Sequence, residues 1–137
     1  MTAERHTGAM HSLVEEGVRC FNESQFFAAH EAWEEVWTPA RGPERLFLQA
    51  LIHVAVGFHH AQRHNREGAR RQLRKGLKKL AGYLPEAGGI RTLALYRDTV
   101  ACLERLERGE ALSRFPVIAF SERRQSPGTD SHSDPPL

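Results

Sequence analysis

At 137 residues and 40 % hydrophobic content, the chain has enough apolar material for one domain with a modest core. No apolar run is long enough to span a membrane and no signal-peptide hydrophobic stretch is present, which excludes an integral membrane protein and predicts a soluble, cytoplasmic one. The net charge of +2 hides an asymmetry: residues 1–38 carry seven carboxylates against Arg5 and Arg19, whereas residues 63–79 carry eight cations against Glu67.

Residues 1–8 read as a frayed start. Met10, Leu13, Val14, Gly17, Val18 and Phe21 then form a helical apolar stripe over about Ala9 to Phe21. Cys20 and Cys102 lie far from any CxxC spacing and read as buried, reduced thiols. Asn22 to Gln25 is a short polar connection, with Ser24 placed to cap the next helix. That helix, Phe26 to Trp37, sets Phe26, His30, Trp33 and Trp37 on one stripe, with Glu34 one turn past His30. The spacing predicts a His/Glu pair pointing inward with the aromatics. Thr38 to Pro43 ends the helix, and Pro43 suits the first turn of the one that follows.

Residues 44–64 are apolar on every side, the pattern of a central, buried helix. Gln49, His53 and His60 nonetheless share one polar line down it. Gly57, between the two histidines, implies close approach of another backbone or a ligand. Asn65 is the expected cap of a helix whose inner stripe is Ala69, Leu73, Gly76, Leu77, Leu80 and Leu84. Its other face is Arg66, Arg70, Arg71, Arg74, Lys75, Lys78 and Lys79. After a loop at Pro85 to Gly89, Leu93, Tyr96, Val100, Leu103 and Leu106 mark a last long helix that stops at Gly109. Phe115 to Ile118 reads as an extended segment laid over the bundle, and residues 121–137 as a disordered polar tail. The expected fold is therefore all-α: about five antiparallel helices packed around residues 44–64, in a single domain spanning residues 1–120.

Two chemistries fit this layout. His30, Glu34 and His60 offer nitrogen and oxygen donors suited to a divalent transition metal. Glu31 or His53 would serve as general base, with Trp33, Trp37 and Gln49 around the pocket. Such a centre is hydrolase-like, because a bound metal brings the pKa of its water toward neutrality. His53 and His60 stand about 10 Å apart along the helix axis, too far to share one ion unaided. The same residues also fit a structural network in which Glu34 holds His30. The other chemistry is non-catalytic: Arg66, Arg70, Arg74 and Lys78 form a face for an anionic partner, nucleic acid or another polyanion. That face lacks aromatics to stack bases, and its charge also fits a solvated surface or pairing with the acidic helices. His11, His59, His64 and His132 are assigned no chemistry.

With these residues laid out, the chain resembles the small helical family catalogued as domain of unknown function 309, over about residues 18 to 118. Asn22, Phe27, His30, Glu31, Glu34 and Trp37 match its first motif; Gln49, Leu51, Ile52, His60 and Asn65 match its second, and Gly68-Ala69 follow. The resemblance implies a compact all-helical prokaryotic protein and no established activity. Ala50, His53 and His64 depart from it, standing where the family usually has Gly, Gln and Gly.

Overall fold

A computed structural model describes residues 14–121. Five α-helices make up this stretch: α1 (residues 14–22), α2 (Phe26–Trp37), α3 (Gly42–Gln62), α4 (Arg66–Leu80) and α5 (Thr92–Glu107). A 3-10 turn, Ala81–Tyr83, extends α4. Among the described residues there is no strand, only isolated bridges joining Ile90 to Ala87 and to Phe120. The all-helical expectation holds. Met10, Leu13 and the tail beyond Ser121 lie outside the described residues. Ser121 itself, expected in the tail, is buried and donates its N–H to Gly89 O at 2.9 Å.

The core is aromatic at one end. Phe21, Phe26 and Phe58 meet at centroid distances of 4.9–6.1 Å, and Phe115 lies 5.2 Å from Phe26 and 5.7 Å from Phe58. Phe115 thus brings the extended segment down onto the bundle, as its apolar run predicts. Asn22 fastens that segment further, accepting from Ile118 N–H at 2.7 Å and donating to Ile118 O at 2.9 Å.

The other half of the core is a seam of small residues between α3 and α4. A Cβ added at Gly57 would come within 2.6 Å of the Leu73 side chain and 3.2 Å of its backbone N. One added at Gly76 would meet Val54 at 2.7 Å and Ala50 O at 3.2 Å. The glycine in the middle of α3 is therefore there for a neighbouring helix, not for a ligand.

Three helix ends follow one rule. After α1, α3 and α5 the chain makes 6→1 bonds, Gln25 N–H to Cys20 O, Asn65 N–H to His60 O and Glu110 N–H to Arg105 O. Each such turn needs a left-handed residue just past the helix. Those residues are Ser24 (φ 62°), His64 (φ 61°) and Gly109 (φ 83°). Gly109 was expected. Ser24 was expected to cap α2, but the turn claims its backbone, and Gln25 stands at the N-cap without a side-chain bond. The predicted Asn65 cap is present, its Oδ1 accepting from Gly68 N–H at 3.1 Å.

Two burial patterns differ from the sequence expectation. In α5 the inward residues are Thr92, Leu95, Thr99 and Leu106, while Leu93, Tyr96, Val100 and Leu103 are half-buried. In α3, Phe47, Leu48, Ala50, Leu51, Val54, Ala55 and Phe58 are buried, but a continuous outer strip is not. The helix expected at the centre of the bundle has one side at the surface.

Candidate functional site

That outer strip consists of Gln49, Ile52, His53, Val56, His59 and His60, all half-buried and spaced by three and four residues. It contains the polar line read from the sequence. The line marks the exposed edge of α3 because its members point opposite to Leu51, Ala55 and Phe58.

α2 and α4 flank the strip on opposite sides. On the α2 side, Phe27 stands with its ring 5.2 Å from both His30 and His59. On the α4 side, His53 Nδ1 and Gln72 Oε1 are 2.7 Å apart, and Lys75 and Lys79 lie near enough to act on the imidazole. Asn65 Nδ2 and His60 Nδ1 are 3.2 Å apart, beside Gly68.

The expected convergence of His30, Glu34 and His60 does not occur. His30 Nε2 is 3.2 Å from Glu34 Oε2, yet Glu34 is half exposed. His60 is engaged with Asn65 and His53 with Gln72, both toward α4 rather than toward α2. Among the described residues no three His, Cys, Asp or Glu side chains are placed to hold a metal ion. Glu31 is exposed. The physical reason is angular: Ala29, Trp33 and Val36 take the inward positions of α2, leaving His30 and Trp37 on its shoulder and Glu34 outside.

Trp33 and Trp37 each have a partner of their own. Trp33 is wholly buried and donates Nε1–H to Val14 O at 3.1 Å. Trp37 is covered by Arg45, whose guanidinium carbon lies 3.8 Å from the ring centroid while Nη1 donates to Trp37 O at 3.0 Å. A depression where α4 begins and α5 ends is lined by Ala61, His64, Arg66, Leu106 and Leu112. It contains none of the predicted metal or catalytic residues.

Two imidazoles of the strip, His53 and His59, are shifted downward. Burial pushes the His53 pKa below its ordinary value, the Gln72 contact acts against this, and Lys79 and Lys75 push it further down. Burial also lowers His59, helped by Arg63, His60 and His30. Burial pushes the Cys102 thiol up to about 11, and it raises Cys20 as well. Both cysteines are free, and of the two expected to be buried Cys20 is buried while Cys102 is half-buried.

The basic face is real and only partly neutralised. Glu67 serves both Arg70 and Arg71, and Glu107 of α5 pairs with Arg74. Arg66, Lys75, Lys78 and Lys79 enter no ion pair among the described residues. No ion pair joins α2 to α4 there either, because α3 stands between them.

These features define a small helical bundle in which the outer edge of α3 is lined with histidines and bordered by an acidic and a basic helix. Residues 14–72, from α1 into α4, match the family model described as Domain of unknown function (DUF309), so the resemblance read from the sequence holds over that stretch. No curated protein matches the chain. No described helix is long and apolar enough to cross a membrane.

Proposed function

We propose that the protein is a non-catalytic helical module that binds an anionic partner through α4. The observation that supports this is the isolation of that helix's charge. It carries seven cations in fifteen residues, and only Glu67 and Glu107 pair with them among the described residues. The carboxylates of α2 lie beyond α3. A helix that retains this much positive charge attracts a polyanion by counterion release. α4 has no aromatic residue, so recognition would rest on charge rather than on stacking against bases.

The alternative reading is a metal-dependent hydrolytic centre built on His30, Glu34 and His60 with Glu31 or His53 as base. It is less well supported, since those side chains have different partners on different helices.

The test is binding of labelled single-stranded RNA, duplex DNA and polyglutamate over a salt series. For a nucleic acid the logarithm of affinity should fall with log salt by about 0.7–0.9 per phosphate neutralised. Combined Arg66→Glu, Arg71→Glu and Lys78→Glu should abolish binding while leaving the melting curve in place. Equal binding by the parent and the triple variant would refute the reading.

A further inference from the structure

The outer strip of α3 carries a second consequence, independent of the anion reading. It presents half-buried Ile52 and Val56 between two shoulders of opposite charge. The α2 shoulder holds Glu31 and Glu34, and Phe27 on it is 50 % exposed, an unusual state for so large an apolar group. The α4 shoulder holds Lys75 and Lys79, the two cations that act on His53.

The heights of these charges along α3 also correspond. α2 runs antiparallel to α3, with Phe26 against Phe58 at one end and Trp37 against Arg45 at the other. That places Glu34 beside Gln49 to Ile52 and Glu31 about one turn further along. α4 is antiparallel to α3 too, with Leu73 against Gly57 and Gly76 against Val54 and Ala50. That places Lys79 near Gln49 and Lys75 near His53. Glu34 and Lys79 therefore sit at one level on opposite sides of the strip, and Glu31 and Lys75 at the next.

We propose that the chain pairs with a second copy of itself through this face, about a two-fold axis running along α3, so that α2 of each copy lies against α4 of the other. With the axis along α3 the two strips run parallel and the levels are preserved. Glu34 then meets the other copy's lysine at position 79, and Glu31 the one at position 75. Turning the axis across α3 would set α2 on α2 and α4 on α4, like charge on like, so the charge pattern selects a single arrangement. Ile52 and Val56 of both copies form the apolar centre, and Phe27 is covered at its edge. Arg66 and Lys78 lie on the α4 stripe of Arg74, which turns toward Glu107 of α5 and away from this contact, so anion binding and self-association can fail separately.

Sedimentation of the full chain over a concentration series is the test. The parent should show dimer mass at high concentration, and Val56→Glu should remain monomeric with parental helicity. Glu34→Lys alone and Lys79→Glu alone should each weaken the dimer by about tenfold or more, since symmetry repeats each reversal twice. Combining the two should restore it, and these charge variants decide the matter should Val56→Glu fail to fold. A parent that stays monomeric at every concentration overturns the proposal. So does a dimer whose affinity is unmoved by both single reversals.

Discussion

The indole of Trp33 lies directly over Gly17. A Cβ at that glycine would come within 2.5 Å of the ring carbons Cδ1 and Cε2, while the ring nitrogen reaches past it to Val14 O. The contact fixes α1 on α2 without any ion pair between them among the described residues. Trp33 is fully buried and cannot move aside. Gly17→Ala should therefore destabilise the protein by about 1–3 kcal/mol, despite the better helix propensity of alanine, with a melting temperature lower by several degrees. An unchanged or raised melting temperature would show that the ring has room to shift.

The left-handed residue after α3 gives a prediction of opposite sign. His64 holds φ 61° and is exposed, so its side chain is committed to nothing that offsets the strain. An L-residue in this region costs about 1–2 kcal/mol, and glycine avoids the clash but loses more entropy on folding. His64→Gly should stabilise by up to about 1 kcal/mol, read as a melting temperature raised by about 4 °C. Thermal unfolding of the two proteins settles the sign.

His64 also shows where the sequence is legible. Helix positions follow from periodicity and from Asn65, Gly109 and Pro43, because those signals act within one turn. Ser24 misleads, since the same residue suits an N-cap and a helix-ending turn, and the three-residue link to α2 selects the turn. The side of α3 that faces solvent is harder to read. Ile52 and Val56 look like core residues by type, and only the packing of α2 and α4 on its flanks leaves their edge uncovered. The His30–Glu34 pair was legible as a pair. Its depth was not, because a shift of about 60° around α2 separates Trp33 in the core from His30 on the shoulder.

Asn22 is one of the residues by which the chain resembles the family, and its role here is mechanical. Both its amide oxygen and its amide nitrogen are used on the backbone of Ile118, clamping the segment that carries Phe115. Asn22→Ala should cost about 1–2 kcal/mol and speed proteolysis within residues 110–121. Asn22→Asp keeps the acceptor but sets a carboxylate oxygen against Ile118 O, so it should not rescue the clamp. Cleavage at the parental rate in the alanine variant would deny Asn22 this role.

The His30–Glu34 pair divides a structural reading from a metal-binding one. Glu34 is about half exposed, so screening limits the pair to a few tenths of a kcal/mol. Glu34→Gln should shift stability by less than about 0.5 kcal/mol, far below the cost of stranding a buried charge. His30→Ala should cost more, through its lost contact with Phe27. Zinc or manganese should not raise the melting temperature of the parent, because the ligands do not converge. A rise of several degrees that Glu34→Gln abolishes would restore the metal centre.

His53 couples the stability of the fold to pH. Burial lowers its pKa, with Lys79 and Lys75 adding to the effect and the Gln72 contact opposing it. The folded state therefore releases the imidazole proton more readily than the unfolded chain does, and between the two pKa values the unfolded chain holds more protons. By linkage, stability then rises with pH: the contribution of His53 is complete above the ordinary imidazole value of about 6.5 and is lost as pH falls through it and below. His53→Gln removes the titrating group while keeping a side chain able to bond Gln72. Stability of the variant should thus be flatter across the acid side of neutrality, and its advantage over the parent should grow as pH drops. Denaturant melts of both proteins from neutral to mildly acid pH measure this directly. Parallel profiles would show that the imidazole titrates alike in the folded and unfolded chain, and would place the acid sensitivity elsewhere.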